Sequence, residues 1–214
     1  MKGAEYVYQQ TAKMAEIKEK NQKEKEKYTP PAKGVWTPPE IGGDNKRIFA
    51  MNYQQVVDRD KPPGSLPVFL EHCFIYLEKN GLTTTGIFRV SPPKPDLDAM
   101  REKIDKGLPL CDEDFNDDIH MVSGLVKLFL REMPNPLLTF ELYPEWMKIV
   151  ELPTSDQAAK IKELVQRLPP ANQILLERLI YLCTRIMEYT QENKMTVENL
   201  AIVLCPSILY NQDP

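Results

Sequence analysis

Asp118-Ile119-His120-Met121-Val122-Ser123-Gly124-Leu125-Val126-Lys127-Leu128-Phe129-Leu130-Arg131-Glu132-Met133-Pro134 is the stretch on which the fold turns. Val122, Val126, Phe129, Leu130 and Met133 recur at spacings of three and four, the period of a helix with one side in a core. Asp118 stands where a carboxylate caps the first turn and complements the helix dipole. Pro134 and Pro136 stop the run, because proline has no amide proton to give and restrains the residue before it. The spacing predicts a helix over 119–132. Lys127 and Arg131, four apart, then leave it on one side, away from the apolar stripe, and Ser123 continues that polar line one turn earlier. Taken alone, the line reads as a solvated helix face.

The same period recurs on both sides of this helix, and from about Lys46 no run of alternating β-branched residues interrupts it. Ser65 as cap and Pro67 in the first turn open a helix with Val68, Leu70, Phe74 and Leu77 on its apolar side, closed by Asn80-Gly81. The stretch 82–95 reads as a loop. A helix over 96–106 follows, with Leu97, Met100 and Ile104 inward and Gly107 as terminator. Further helices are expected over 139–151, 155–168, 170–192 and 197–204, the last capped by Thr196 and limited by Pro206. The expected fold class is all-α, a helical bundle.

Three segments are expected in the chain. Residues 1–28 have small apolar positions at helical spacing, Ala4, Val7, Tyr8, Ala12 and Ala15, and then a run of mixed Lys and Glu that offers nothing to a core. This N-terminal helical extension reads either as a solvated helix or as one that binds a partner or itself. Residues 29–45 hold Pro30, Pro31, Pro38, Pro39, Gly34, Gly42 and Gly43, an extended linker with Val35, Trp36 and Ile41 available to pin it. Residues 46–214 form the domain.

A net charge of −4 argues against a general nucleic-acid binder, which needs a clustered basic surplus for phosphates, and leaves room for a local basic patch. The start, Met1-Lys2-Gly3-Ala4-Glu5, has no apolar secretory core, and no run of eighteen apolar residues occurs, so a cytoplasmic location is expected. Cys73, Cys111, Cys183 and Cys205 are widely spaced, and three lie in apolar runs, so they are expected as reduced core thiols. With His72 and His120 the only histidines and no paired cysteines, no protein-bound metal is expected. Asp117-Asp118-x-His120 reads as helix capping and not as a metal site. Phosphate loop, dinucleotide fingerprint and nucleophile elbow are all missing, so no cofactor of the chain's own is expected.

That leaves Leu82-Thr83-Thr84-Thr85-Gly86-Ile87-Phe88-Arg89-Val90-Ser91. Arg89 sits in a short loop between apolar anchors and after a glycine. Two readings stand: a cation presented to a partner, or an arginine bridging two helices of its own domain. Asn199, near the start of an apolar helix, reads by itself as a capping or buried hydrogen-bonding residue.

In company these segments resemble the Rho GTPase-activating (RhoGAP) family, from about Phe49 to Leu209. Three blocks match in order. The first is Leu77-Glu78-Lys79-Asn80-Gly81-Leu82 leading to Gly86-Ile87-Phe88-Arg89. The second runs from Asp118-Ile119-His120 through Leu128-Phe129-Leu130-Arg131-Glu132-Met133-Pro134 to Pro136-Leu137-Leu138. The third is Met195-Thr196-x-x-Asn199-Leu200-Ala201-Ile202-Val203 with Pro206.

The resemblance implies a helical bundle that accelerates GTP hydrolysis by a Rho-family small GTPase (Rho, Rac or related), with Arg89 as an arginine finger supplied in trans. It makes Lys127 and Arg131 supports of the finger loop and GTPase surface, and Asn199, Ile202 and Pro206 positions of GTPase contact. GTP and Mg²⁺ then belong to the partner, and any membrane association is indirect, through the GTPase or a further module. Pro92, Pro93 and Pro95 depart from the family pattern after Val90-Ser91, Ser207 stands where asparagine is usual, and a last helix expected from the family is not in the chain. The prolines keep an alternative open, a catalytically weak module that binds a GTPase or other signalling protein as an adaptor.

Overall fold

The computed structural model describes residues 35–36, 46–60, 62, 66–108 and 110–212. Contacts divide the chain into two units, Met1–Val35 and Trp36–Pro214, and the second holds every helix described below. The expected N-terminal helix, most of the linker and Ser65 lie outside the described residues, and the helix expected to be capped by Ser65 starts at Val68, with Pro67 in the cap position and not in the first turn.

Described elements run α1 (Tyr53–Asp60), α2 (Val68–Asn80), α3 (Lys94–Asp105), a 3-10 turn (Asp112–Phe115), α4 (Ile119–Arg131), α5 (Tyr143–Lys148), a second 3-10 turn (Ile149–Glu151), α6 (Thr154–Arg167), α7 (Pro170–Met187), α8 (Thr190–Asn193) and α9 (Val197–Ile208). The described β structure amounts to two-residue strands at Val35–Trp36 and Leu110–Cys111. The all-α expectation holds.

The helix over 119–131 is central. Asp118 caps it, accepting from the amides of His120 at 2.8 Å and Met121 at 3.1 Å. It packs on α2, α3 and α9 and is buried from Ile119 to Val126 apart from His120. A helix enclosed on three sides has no continuous solvated face, so Ser123 and Lys127 are buried and only Arg131 of the expected polar line is exposed. Phe129 meets Phe49 and Phe69 edge-on, with ring centroids 5.8 and 5.5 Å apart. Truncating such a ring costs about 3–5 kcal/mol. Across the bundle, Arg178 of α7 binds Glu71 and Glu78 of α2 while covering the Phe74 ring.

Several helix boundaries differ from expectation. The third helix starts at Lys94, with Pro93 as its cap residue and Pro95 in its first turn. The helix expected over 139–151 starts only at Tyr143, because Asn135 Oδ1 takes the Phe140 amide at 2.9 Å and Thr139 adopts a φ of 63°. The 170–192 helix breaks after Met187, where Thr190 Oγ1 donates to the Met187 carbonyl at 2.7 Å, and resumes as α8. Pro206 does not end the last helix, which continues to Ile208. Its missing amide deprives the carbonyl of Ile202, a residue 71% exposed, so water replaces the lost partner at little cost.

All four cysteines are free thiols, but only Cys73 is fully buried and Cys205 is exposed, since the apolar run around Cys205 turns one side outward.

Candidate functional site

The site is built around the loop between α2 and α3. Gly86 adopts a φ of 72° and Phe88 a φ of 65°, both left-handed. The first suits glycine; the second costs a phenylalanine about 1–3 kcal/mol and persists only if its surroundings fix it. They do. Ile87 and Phe88 are fully buried, and the amides of Arg89 and Val90 both donate to the Gly86 carbonyl, at 2.8 and 2.9 Å. Two consecutive apolar side chains turned inward leave the next one, Arg89, turned out.

Arg89 is exposed. Its guanidinium lies back over Gly86, where a built Cβ would sit 3.4 Å from Nη2 and 3.5 Å from Nε. It makes no ion pair or hydrogen bond with a described residue, so none of the described helices is bridged by it.

Three anchors hold the loop. At the apex, Lys127 Nζ donates to the Phe88 carbonyl at 2.6 Å. Burial pushes this ammonium below the ordinary lysine range, and the positive charge of Arg131 adds to the effect. At the entry, the Gly86 amide donates to the Asn193 carbonyl at 2.8 Å, while Asn193 Nδ2 donates to Leu82 O at 2.7 Å. At the exit, Pro92 rests on Gly124 of α4: a Cβ there would lie 2.8 Å from both Cγ and Cδ of the proline. Pro92 therefore docks the loop exit on the helix that carries Lys127.

Asn199 is half-buried, donating from Nδ2 to the Lys194 carbonyl at 3.0 Å, and its amide donates to Thr196 Oγ1 at 3.3 Å. Ile202 and Pro206 lie exposed along the same helix, α9, which packs on α4. The fold thus joins Lys127 to the Arg89 loop directly, and the Asn199 helix to it through Asn193. Arg131, one turn beyond Lys127, is exposed and makes no hydrogen bond or ion pair with a described residue.

Sequence reading missed Asn193 and the Pro92–Gly124 contact. A glycine inside a strongly apolar helix is a signal of close approach, and it was present at Gly124. Nothing local marks Asn193. Among the described residues no group of three or more His, Cys, Asp and Glu is placed to hold a metal ion, and no helix is long and apolar enough to cross a membrane.

The model of the RhoGAP domain matches residues 67–213, which span the loop, α4 and α9. The chain belongs to the RhoGAP family. As a RhoGAP domain it is 34% identical over 174 residues to Rho GTPase-activating protein gacY of Dictyostelium discoideum, covering 80% of this chain and 24% of that protein. It is 32% identical over 165 residues to Rho GTPase-activating protein 1 of Homo sapiens, covering 77% of this chain and 37% of that one. The chain therefore spans about a quarter to just over a third of the length of these curated relatives. The crystal structure of human Rho GTPase activating protein 15 superposes with a TM-score of 0.74 at 28% identity, covering 87% of each chain. This likeness of structure accords with the all-α RhoGAP architecture.

Proposed function

We propose that this domain accelerates GTP hydrolysis by a Rho-type small GTPase, inserting Arg89 in trans. The observation that carries the reading is an exposed arginine, without a partner among the described residues, on a loop whose preceding carbonyl is held by the buried Lys127. Family membership and the names of the relatives support the same activity.

Hydrolysis builds negative charge on phosphoryl oxygens, and a planar guanidinium supplies several fixed donors to them once the interface excludes water. GTP and Mg²⁺ are held by the partner. A finger supplied in trans is worth roughly 10³ to 10⁵ in rate, or about 4–7 kcal/mol of barrier. Lys127 holds the loop, Arg131 adds exposed positive charge, and Asn199, Ile202 and Pro206 offer a polar and apolar surface for the GTPase. The adaptor alternative gains nothing from Pro92, which docks the loop exit without disturbing the bond to the Phe88 carbonyl.

Single-turnover hydrolysis on a panel of GTP-loaded Rho-family GTPases tests the reading. The wild-type domain should accelerate at least one member. Arg89→Ala should abolish most of that acceleration and keep much of the binding, and Arg89→Lys, lacking the fork, should recover little. No acceleration across the panel would sink the reading.

A further inference from the structure

Asn193 is fully buried at the end of α8, and the mechanism above makes no use of its side chain. Its Nδ2 donates to the carbonyls of Leu82 and Ile186, each at 2.7 Å. Its Oδ1 accepts from the Met195 amide at 2.8 Å, and its own carbonyl accepts from the Gly86 amide at 2.8 Å. One residue therefore reaches the stem and the left-handed glycine of the Arg89 loop, the last turn of α7, and the segment that leads into α9.

A planar amide suits this junction because it places two donors and one acceptor on a single rigid head. A carboxylate has no donor to give, and a serine is too short to reach both carbonyls. Closing the end of α7 would need only the Ile186 and Met195 bonds. The bond to Leu82, 111 residues away in sequence, serves the loop. Thr85 Oγ1, donating to the Glu192 carbonyl at 3.4 Å, ties the same two segments more weakly. Lys127 reaches the loop from α4 and has no bond to the segment before α9, so it does not duplicate this connection.

We propose that Asn193 is a positioning residue that sets the Arg89 loop relative to α9, so that the finger and the surface of Asn199, Ile202 and Pro206 meet the GTPase in one fixed geometry. The proposal rests on Arg89 being the finger.

The test uses Asn193→Ala and the milder Asn193→Ser in the full chain, each alone and combined with Arg89→Ala. In single-turnover hydrolysis the Asn193 variants should lower the maximal rate about tenfold or more while the half-saturating concentration moves less than about threefold. In the Arg89→Ala background they should have no further effect, because a positioning residue has nothing left to position. Equal losses in both backgrounds, or a loss of affinity alone, overturn the proposal.

Amide hydrogen exchange on the unbound chain gives a readout that needs no GTPase. In Asn193→Ser the Gly86 amide should exchange at least about tenfold faster while α4 keeps its protection. An unchanged Gly86, or a uniform loss across the bundle, overturns the proposal. If the wild type activates no GTPase, the GTPase-activating reading falls, and exchange at Gly86 still decides whether Asn193 holds the loop.

Discussion

The buried Lys127 ammonium donates to the carbonyl of Phe88 at 2.6 Å, one residue before Arg89, so the helix at the centre of the bundle directly grips the backbone of an exposed loop. The bond defines the peptide from which Arg89 projects. Burial and Arg131 both work against the charge on Lys127, which is therefore maintained at a cost to the fold.

Lys127→Met keeps an unbranched side chain one atom shorter and removes the donor. Its maximal rate of stimulated hydrolysis should fall about 10- to 100-fold. Unfolding free energy should change by less than about 2 kcal/mol, since the unpartnered Phe88 carbonyl is offset by relief of a desolvated charge. Single-turnover kinetics and denaturant unfolding read the two. A large stability loss with an unchanged rate would place Lys127 in the scaffold and not in the finger's support.

Gly124→Ala puts a Cβ 2.8 Å from the Pro92 ring. Neither the ring nor the α4 backbone yields easily, so destabilisation of about 1–3 kcal/mol is expected, with slower hydrolysis as the loop exit is displaced. Pro92→Gly should be tolerated better with Gly124→Ala than the latter is alone. Additive effects in that double-mutant cycle would refute the contact.

Ile202 is 71% exposed on α9, so Ile202→Glu should alter stability by no more than about 0.5 kcal/mol. Affinity for the GTPase should fall about tenfold or more, as for an apolar contact at the centre of an interface. Titration with a GTPase held in a transition-state-mimic form measures it. Unchanged affinity would remove α9 from the binding surface.

Far from the loop, Arg167 and Lys160 of α6 bind Glu145 of α5 and lower its carboxyl from 4.5 to about 2. The folded protein favours the ionised form, so this contribution is complete above 4.5 and lost as pH falls toward about 2. Glu145→Gln should therefore unfold at a lower temperature than wild type near neutral pH, and the gap should close through that acid window. Added salt should narrow it too, because the pair is partly exposed. A gap independent of pH would contradict the assignment.

Helix existence was legible where a long run carries its apolar residues on one side, as with Val122, Val126, Phe129 and Leu130, but not in the eight-residue α1, whose buried Tyr53, Val56 and Val57 are too few to stand out. Ends were less legible, because competing bonds decide them. Asn135 takes the Phe140 amide and delays α5 to Tyr143, while solvent at the Ile202 carbonyl lets α9 run through Pro206. Arg89 was legible as a candidate from its neighbours. Lys127 reads from its period alone as part of a solvated face, and only the family resemblance makes it a support of the loop, since a sequence period cannot show that three other elements close around one helix.

By itself the sequence determined an all-α bundle, the capped and proline-stopped helix at its centre, and a loop in which buried Ile87 and Phe88 precede a charged residue. These follow from local spacing and backbone chemistry, which act within a few residues. Tertiary structure alone decided that Lys127 turns inward to the Phe88 carbonyl, that Pro92 sits on Gly124, and that Asn193 bonds Leu82 across the chain. Each joins groups far apart in sequence whose partners exist only after the helices pack. The cost of leaving a buried donor or carbonyl unpaired then makes those partners specific.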